Sequence, residues 1–89
     1  PAPSTVLDWL ERIVPLLDTL TPAALPVAEA GLRAHPAEPA LLVSVAIAAL
    51  LADQPDRAAT VLKRFERKYG QDPAITLLGA IALARQGHA

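Results

Sequence analysis

PALLVSVAIAAL, residues 39–50, is followed 34 positions later by PAITLLGAIALA, residues 73–84. Five of the twelve aligned positions are identical: Pro39/Pro73, Ala40/Ala74, Ala46/Ala80, Ile47/Ile81 and Ala48/Ala82. The pairing extends backwards when residues 5–38 are laid on 39–72. Leu7 then meets Leu41, Ile13 meets Ile47, Leu17 meets Leu51, Ala24 meets Ala58, Val27 meets Val61 and Arg33 meets Arg67. A period of 34 with a helix-turn-helix in each unit marks a stack of helical hairpins, in which each unit buries its apolar face on the next. The sequence therefore divides into a linker remnant at 1–4 and one domain at 5–89, made of repeats 5–38 and 39–72 and a partial third at 73–89.

Composition agrees with an all-α fold. The chain has 89 residues, 53% of them hydrophobic, with Trp9, Phe65 and Tyr69 as the aromatics. A core made of Ala, Leu, Val and Ile suits closely packed helices, and no stretch alternates as a half-buried strand does. Without cysteine there is neither a disulfide nor a thiolate metal site. The longest uncharged run, residues 39–52, is shorter than the roughly 20 residues a membrane-spanning helix needs. No basic-then-apolar signal segment opens the sequence. The Pro/Ala start reads as the end of a linker within a larger, alanine-rich, bacterial-looking protein, with the cytoplasm as the favoured compartment. Net charge is −1 but unevenly spread: residues 1–53 carry −4 and residues 54–89 carry +3. A module polarised in this way can stack head to tail or steer a charged partner.

Punctuation predicts five helices. The first runs from Thr5 to Leu20, with Thr5 as N-cap, Asp8 in a capping-box position, and Pro15 as an internal kink site. Thr21-Pro22 opens the second, over roughly 22–35, and because Pro26 is tolerated only near a first turn, its regular part can begin a few residues later. His35-Pro36 ends it, because a residue before proline avoids the α region. The third runs from Pro39 to Asp53 with Ser44 as its one polar interior residue, so it must be surrounded on most sides. The fourth covers 55–69 and stops at Gly70, a left-handed cap. Asp72-Pro73 starts the fifth, which reaches Gln86. Short loops make neighbouring helices antiparallel.

The repeat length, the Asp72-Pro73 boundary after a second helix, and the residues Leu78-Gly79 and Gln86-Gly87-His88-Ala89 resemble the tetratricopeptide repeat family. The pattern is degenerate: the small residue expected midway along the first helix of each unit is present only as Gly79, and the second-helix aromatic survives as Phe65. The resemblance implies a right-handed solenoid of about five helices acting as a scaffold that binds another protein. Family members that clamp a carboxylate use Lys, Arg and Asn from the first helices of their repeats. Here those helices carry only Arg12 and Arg85, and the chain has no asparagine. An apolar, helix-in-groove mode fits better.

The fifth helix is apolar on nearly every side, whereas a terminal solenoid helix is expected to show a polar outer face. Either a longer array continues beyond it or another molecule covers its free face; both make Ile75, Leu78, Gly79, Ala82 and Leu83 the expected contact surface, with Trp9 and Leu16 of the first helix as further anchors. Trp9 also reads as a core residue packed on the second helix, since tryptophan is mostly buried. Lys63, Arg64, Arg67 and Lys68, with Arg57 upstream, form a basic face. A solvated helix end accounts for it, because positive charge is favoured near a helix C-terminus. Four such residues are too few for strong nucleic-acid binding at physiological salt. His35 and His88 lack ligand-spaced partners, so no metal is expected, and His35 reads as a capping residue. Ser4 and Ser44 have no adjacent base, and there is no glycine-rich phosphate loop. The expectation is therefore no enzyme, no catalytic residue and no cofactor. The partner is another protein, with a second copy of the chain as the alternative, either in a homodimer or as an oligomerisation module inside a larger enzyme or secretion assembly.

Overall fold

The computed structural model describes residues 4–87; the linker reading at residues 1–3 and the reading of His88 lie outside the described residues. Five helices follow one another: α1 (Val6–Asp18), α2 (Ala24–Ala34), α3 (Pro39–Leu51), α4 (Pro55–Tyr69) and α5 (Pro73–Arg85). There is no strand among the described residues. The assembly measures 44 × 27 × 18 Å.

Each start has a local cause. Thr5 accepts a hydrogen bond from the Asp8 backbone N–H at 3.1 Å, and Asp8 accepts one from the Thr5 N–H, closing the expected capping box. Hydrogen bonds from the Thr5 side chain and backbone hold the Asp8 carboxyl below the usual carboxylate range. Proline occupies the first turn of α3, α4 and α5, where a missing N–H leaves nothing unpaired. Asp72 caps α5 by accepting from the N–H groups of Ala74 and Ile75. The regular part of α2 begins two residues after Pro22, as the position of Pro26 led one to expect. Thr21 Oγ1 takes the Ala23 N–H in a short turn, so the regular helix opens at Ala24 and Pro26 falls in its first turn.

The ends are equally specific. α1 and α3 both close with paired bonds that fold the chain back on its last turn: Leu20 N–H to Leu17 and Thr21 N–H to Leu16, then Asp53 N–H to Leu50 and Gln54 N–H to Ala49. This geometry forces positive φ on Leu20 (54°) and Asp53 (58°). Gly70 ends α4 at φ 83° and ψ −174°, so it is an extended positive-φ stop rather than the left-handed cap expected. α1 continues one turn beyond Pro15, with the Thr19 N–H bonded to the Pro15 carbonyl.

The central position of α3 follows from its sequence. Leu41, Leu42, Val45, Ala46, Ala48 and Ala49 are all buried, and α3 touches each of the other four helices. Its Ser44 hydroxyl donates to the Ala40 carbonyl at 2.8 Å, which satisfies the polar group inside an apolar helix. α1, α3 and α5 touch in succession, whereas α2 and α4 meet through long side chains. Gly31 lets α2 approach closely: a Cβ there would stand 3.2 Å from both Leu41 Cδ2 and Trp9 Cδ2.

Candidate interaction surface

α5 is tied to α3 and α4 at its C-terminal end, packed on the core through Ile75 and Ala82, and open along its outer side. Arg85 Nη1 donates to the Leu50 carbonyl at 2.6 Å, tying its last turn to the end of α3. Gln86 Nε2 donates to Asp56 Oδ1 at 2.6 Å, tying it to the start of α4. Ile75 and Ala82 are buried, at 3% and 0% exposure, and Leu78 packs half-buried against the same core. The opposite side leaves Leu77 63%, Ile81 37% and Leu83 53% exposed.

Two of the five expected contact residues on α5, Ile75 and Ala82, therefore serve the chain's own core and are closed to a partner. Leu83 is open, and Gly79 and Leu78 are half-buried. Leu77 and Ile81 are the apolar surface residues that the sequence reading missed. Only the structure separates them: Ile75 and Ala82 stand 34 positions after Leu41 and Ala48, both fully buried, whereas Leu77 and Ile81 stand 34 after the half-buried Val43 and Ile47.

Between α4 and α5 runs a groove of about 340 Å³. From α4 it takes Ala59, Leu62, Lys63 and Glu66, and from α5 Gly79, Ala80 and Leu83, with Thr76 at one edge. Gly79 keeps it open, since nothing lies within 4 Å of where its Cβ would be. The groove is thus apolar within and carries one positive and one negative side chain from α4. No group of three or more side chains suited to hold a metal ion occurs among the described residues.

The basic face divides. Lys63, Arg67 and Lys68 are exposed, while Arg64 is half-buried and donates to the Pro36 carbonyl at 2.8 Å. Arg57 belongs to the fold: it grips Glu29 of α2 through two bonds, Nε at 2.8 Å and Nη2 at 2.6 Å. That grip, reinforced by the charges of Arg57, Arg33 and Arg64, holds the Glu29 carboxyl below its ordinary range and raises Arg57. Tyr69 donates its hydroxyl to the Ala37 carbonyl. Among the expected anchors on α1, Trp9 and Leu16 are half-buried against the core. The Trp9 ring lies on Gly31, and its Nε1 is buried without a hydrogen-bond partner among the described residues. His35 ends α2 and places Nε2 3.2 Å from the carbonyl of Ser4, just before α1. No helix among the described residues is long and apolar enough to cross a membrane.

Compared with known proteins, the chain matches no protein-family model, no curated protein and no solved structure.

Proposed function

We propose that the chain is a non-catalytic protein–protein interaction module, a tetratricopeptide-like helical repeat that receives another protein on the outer side of α5 and in the groove beside it. The observation that carries this reading is the anchored α5 with Leu77, Ile81 and Leu83 open to solvent. With its last turn tied to α3 and α4 and with Ile75 and Ala82 in the core, α5 cannot turn these side chains inward. Covering what remains exposed of the three would contribute about 3 kcal/mol, enough to anchor a partner once the cost of association is met elsewhere. The succession of contacts α1–α3–α5 along one row supports the repeat architecture, as does the recurrence of residue pattern at 34 positions.

The test is a benzophenone side chain introduced at position 83, with the same group at the exposed Glu11 as reference, irradiated in lysate of the source cells. The reading expects one defined protein adduct from position 83, absent from position 11 and lost when Leu77→Glu is added. Identical adducts from both positions, or none, refute it. An adduct of twice the chain's own mass assigns the surface to a second copy.

A further inference from the structure

The α4–α5 groove has a counterpart inside the molecule that is already filled. Moving its residues back by 34 positions turns Lys63 and Leu62 into Glu29 and Ala28 of α2, and Gly79, Ala80 and Leu83 into Val45, Ala46 and Ala49 of α3. Ala28, Val45, Ala46 and Ala49 are completely buried. The element lying across α2 and α3 is α4. It packs on α3 more extensively than any other helix does, its Arg57 grips Glu29, and its Arg64 reaches the Pro36 carbonyl.

A second depression repeats the relation. The hollow formed by Glu29, Leu32, Arg33 and Pro36 is entered by Arg57 and Arg64 of α4. Its counterpart 34 positions on, formed by Lys63, Glu66, Arg67 and Gly70, is open to solvent. The chemistry at the gripping position is reversed: where α2 offers Glu29 to an arginine, α4 offers Lys63, which like Arg67 has no ion-pair partner among the described residues. A helix seated there in the register of α4 would meet a positive side chain at the place where α4 itself meets a negative one.

Resting on the interaction reading above, we infer that this groove takes an amphipathic α-helix of a partner protein. The partner helix lies on α4 and α5 as α4 lies on α2 and α3. It presents an acidic residue to Lys63 and, seven positions later, an arginine to Glu66 and the Gly70 carbonyl. α4 satisfies all of this except the first charge, which makes it the natural probe.

The experiment titrates the full chain with a synthetic peptide of residues 55–69 carrying Arg57→Glu. A staple between its positions 63 and 67, which are exposed in α4, keeps it helical, and circular dichroism verifies this. The expected result is saturable binding that is about fivefold tighter than that of the unmodified Arg57 peptide, with the preference inverted in the Lys63→Glu protein. A helical peptide that does not bind, or that binds equally well with either charge, overturns the inference. If position-83 adducts persist in that case, the interaction reading stands and only the helix and its register fall. A concentration-dependent dimer that excludes the peptide and dissolves with Leu83→Glu also overturns it, by giving the groove to a second copy.

Discussion

The two helix-interior glycines allow the packing to be tested by one substitution made twice. Alanine gains about 1 kcal/mol over glycine in a helix interior. At Gly79 a methyl would meet nothing within 4 Å, so Gly79→Ala should keep most of that gain and stabilise the chain by about 0.5–1 kcal/mol. At Gly31 the same methyl would stand 3.2 Å from Leu41 Cδ2 and 3.2 and 3.3 Å from two atoms of the Trp9 ring. Leu41 is fully buried and the indole ring is rigid, so both neighbours must give by a few tenths of an ångström at once. Overpacking of this kind costs about 1–3 kcal/mol, which outweighs the propensity gain and leaves Gly31→Ala net destabilised by up to about 2 kcal/mol. The two variants should thus differ by about 2 kcal/mol, or roughly 8–16 °C in Tm for a domain of this size. Urea unfolding followed by circular dichroism and by the fluorescence of Trp9 measures both. Trimming the ring with Trp9→Leu should recover part of the Gly31→Ala loss, giving a coupling above about 0.5 kcal/mol. If Gly31→Ala stabilises as much as Gly79→Ala, the close approach of α1, α2 and α3 described above is wrong.

Three further outcomes follow from single residues. Leu20 holds φ 54° while 69% exposed, so Leu20→Gly should raise stability by about 1 kcal/mol; an unchanged or lower urea midpoint contradicts the end geometry of α1. The Glu29 carboxyl is held below its ordinary value of 4.5 by Arg57. Its contribution is therefore complete above that value and is lost as pH falls through the lower folded one. Glu29→Gln should accordingly cost about 1 kcal/mol at pH 7, and the gap from the parent should close in acid; a gap that widens in acid reverses the assignment. On α5, Ile75→Ala should cost about 2–5 kcal/mol and Leu77→Ala less than about 0.5 kcal/mol. Equal costs in thermal unfolding would mean the helix is rotated from the orientation described.

Five helices and their order were legible because prolines and caps punctuate the sequence. Pro39, Pro55 and Pro73 each open a helix, and the Thr5–Asp8 and Asp72 caps are local arrangements that a few residues decide. The burial of α3 was legible because an uncharged helix has no side to give to water. The face of α5 was not. An all-round apolar helix carries no moment to choose a side, so the choice came from its neighbours, and Ile75 and Ala82 turned inward. The role of Arg57 was hidden for a different reason: Glu29 lies 28 residues away, and only tertiary packing brings the two together. The later start of α2 was legible from Pro26, which a helix accepts only in its first turn.

The most direct test of the claim that the α4–α5 groove is a docking site for a helix is the amide spectrum of the uniformly ¹⁵N-labelled chain with and without the stapled Arg57→Glu peptide. Docking in the α4–α5 groove predicts that the largest shifts fall on Lys63, Gly79, Ala80 and Leu83 while α1 stays unmoved. Shifts centred on α1 and on Val43 and Ile47 of α3, or no shifts at all, would contradict it.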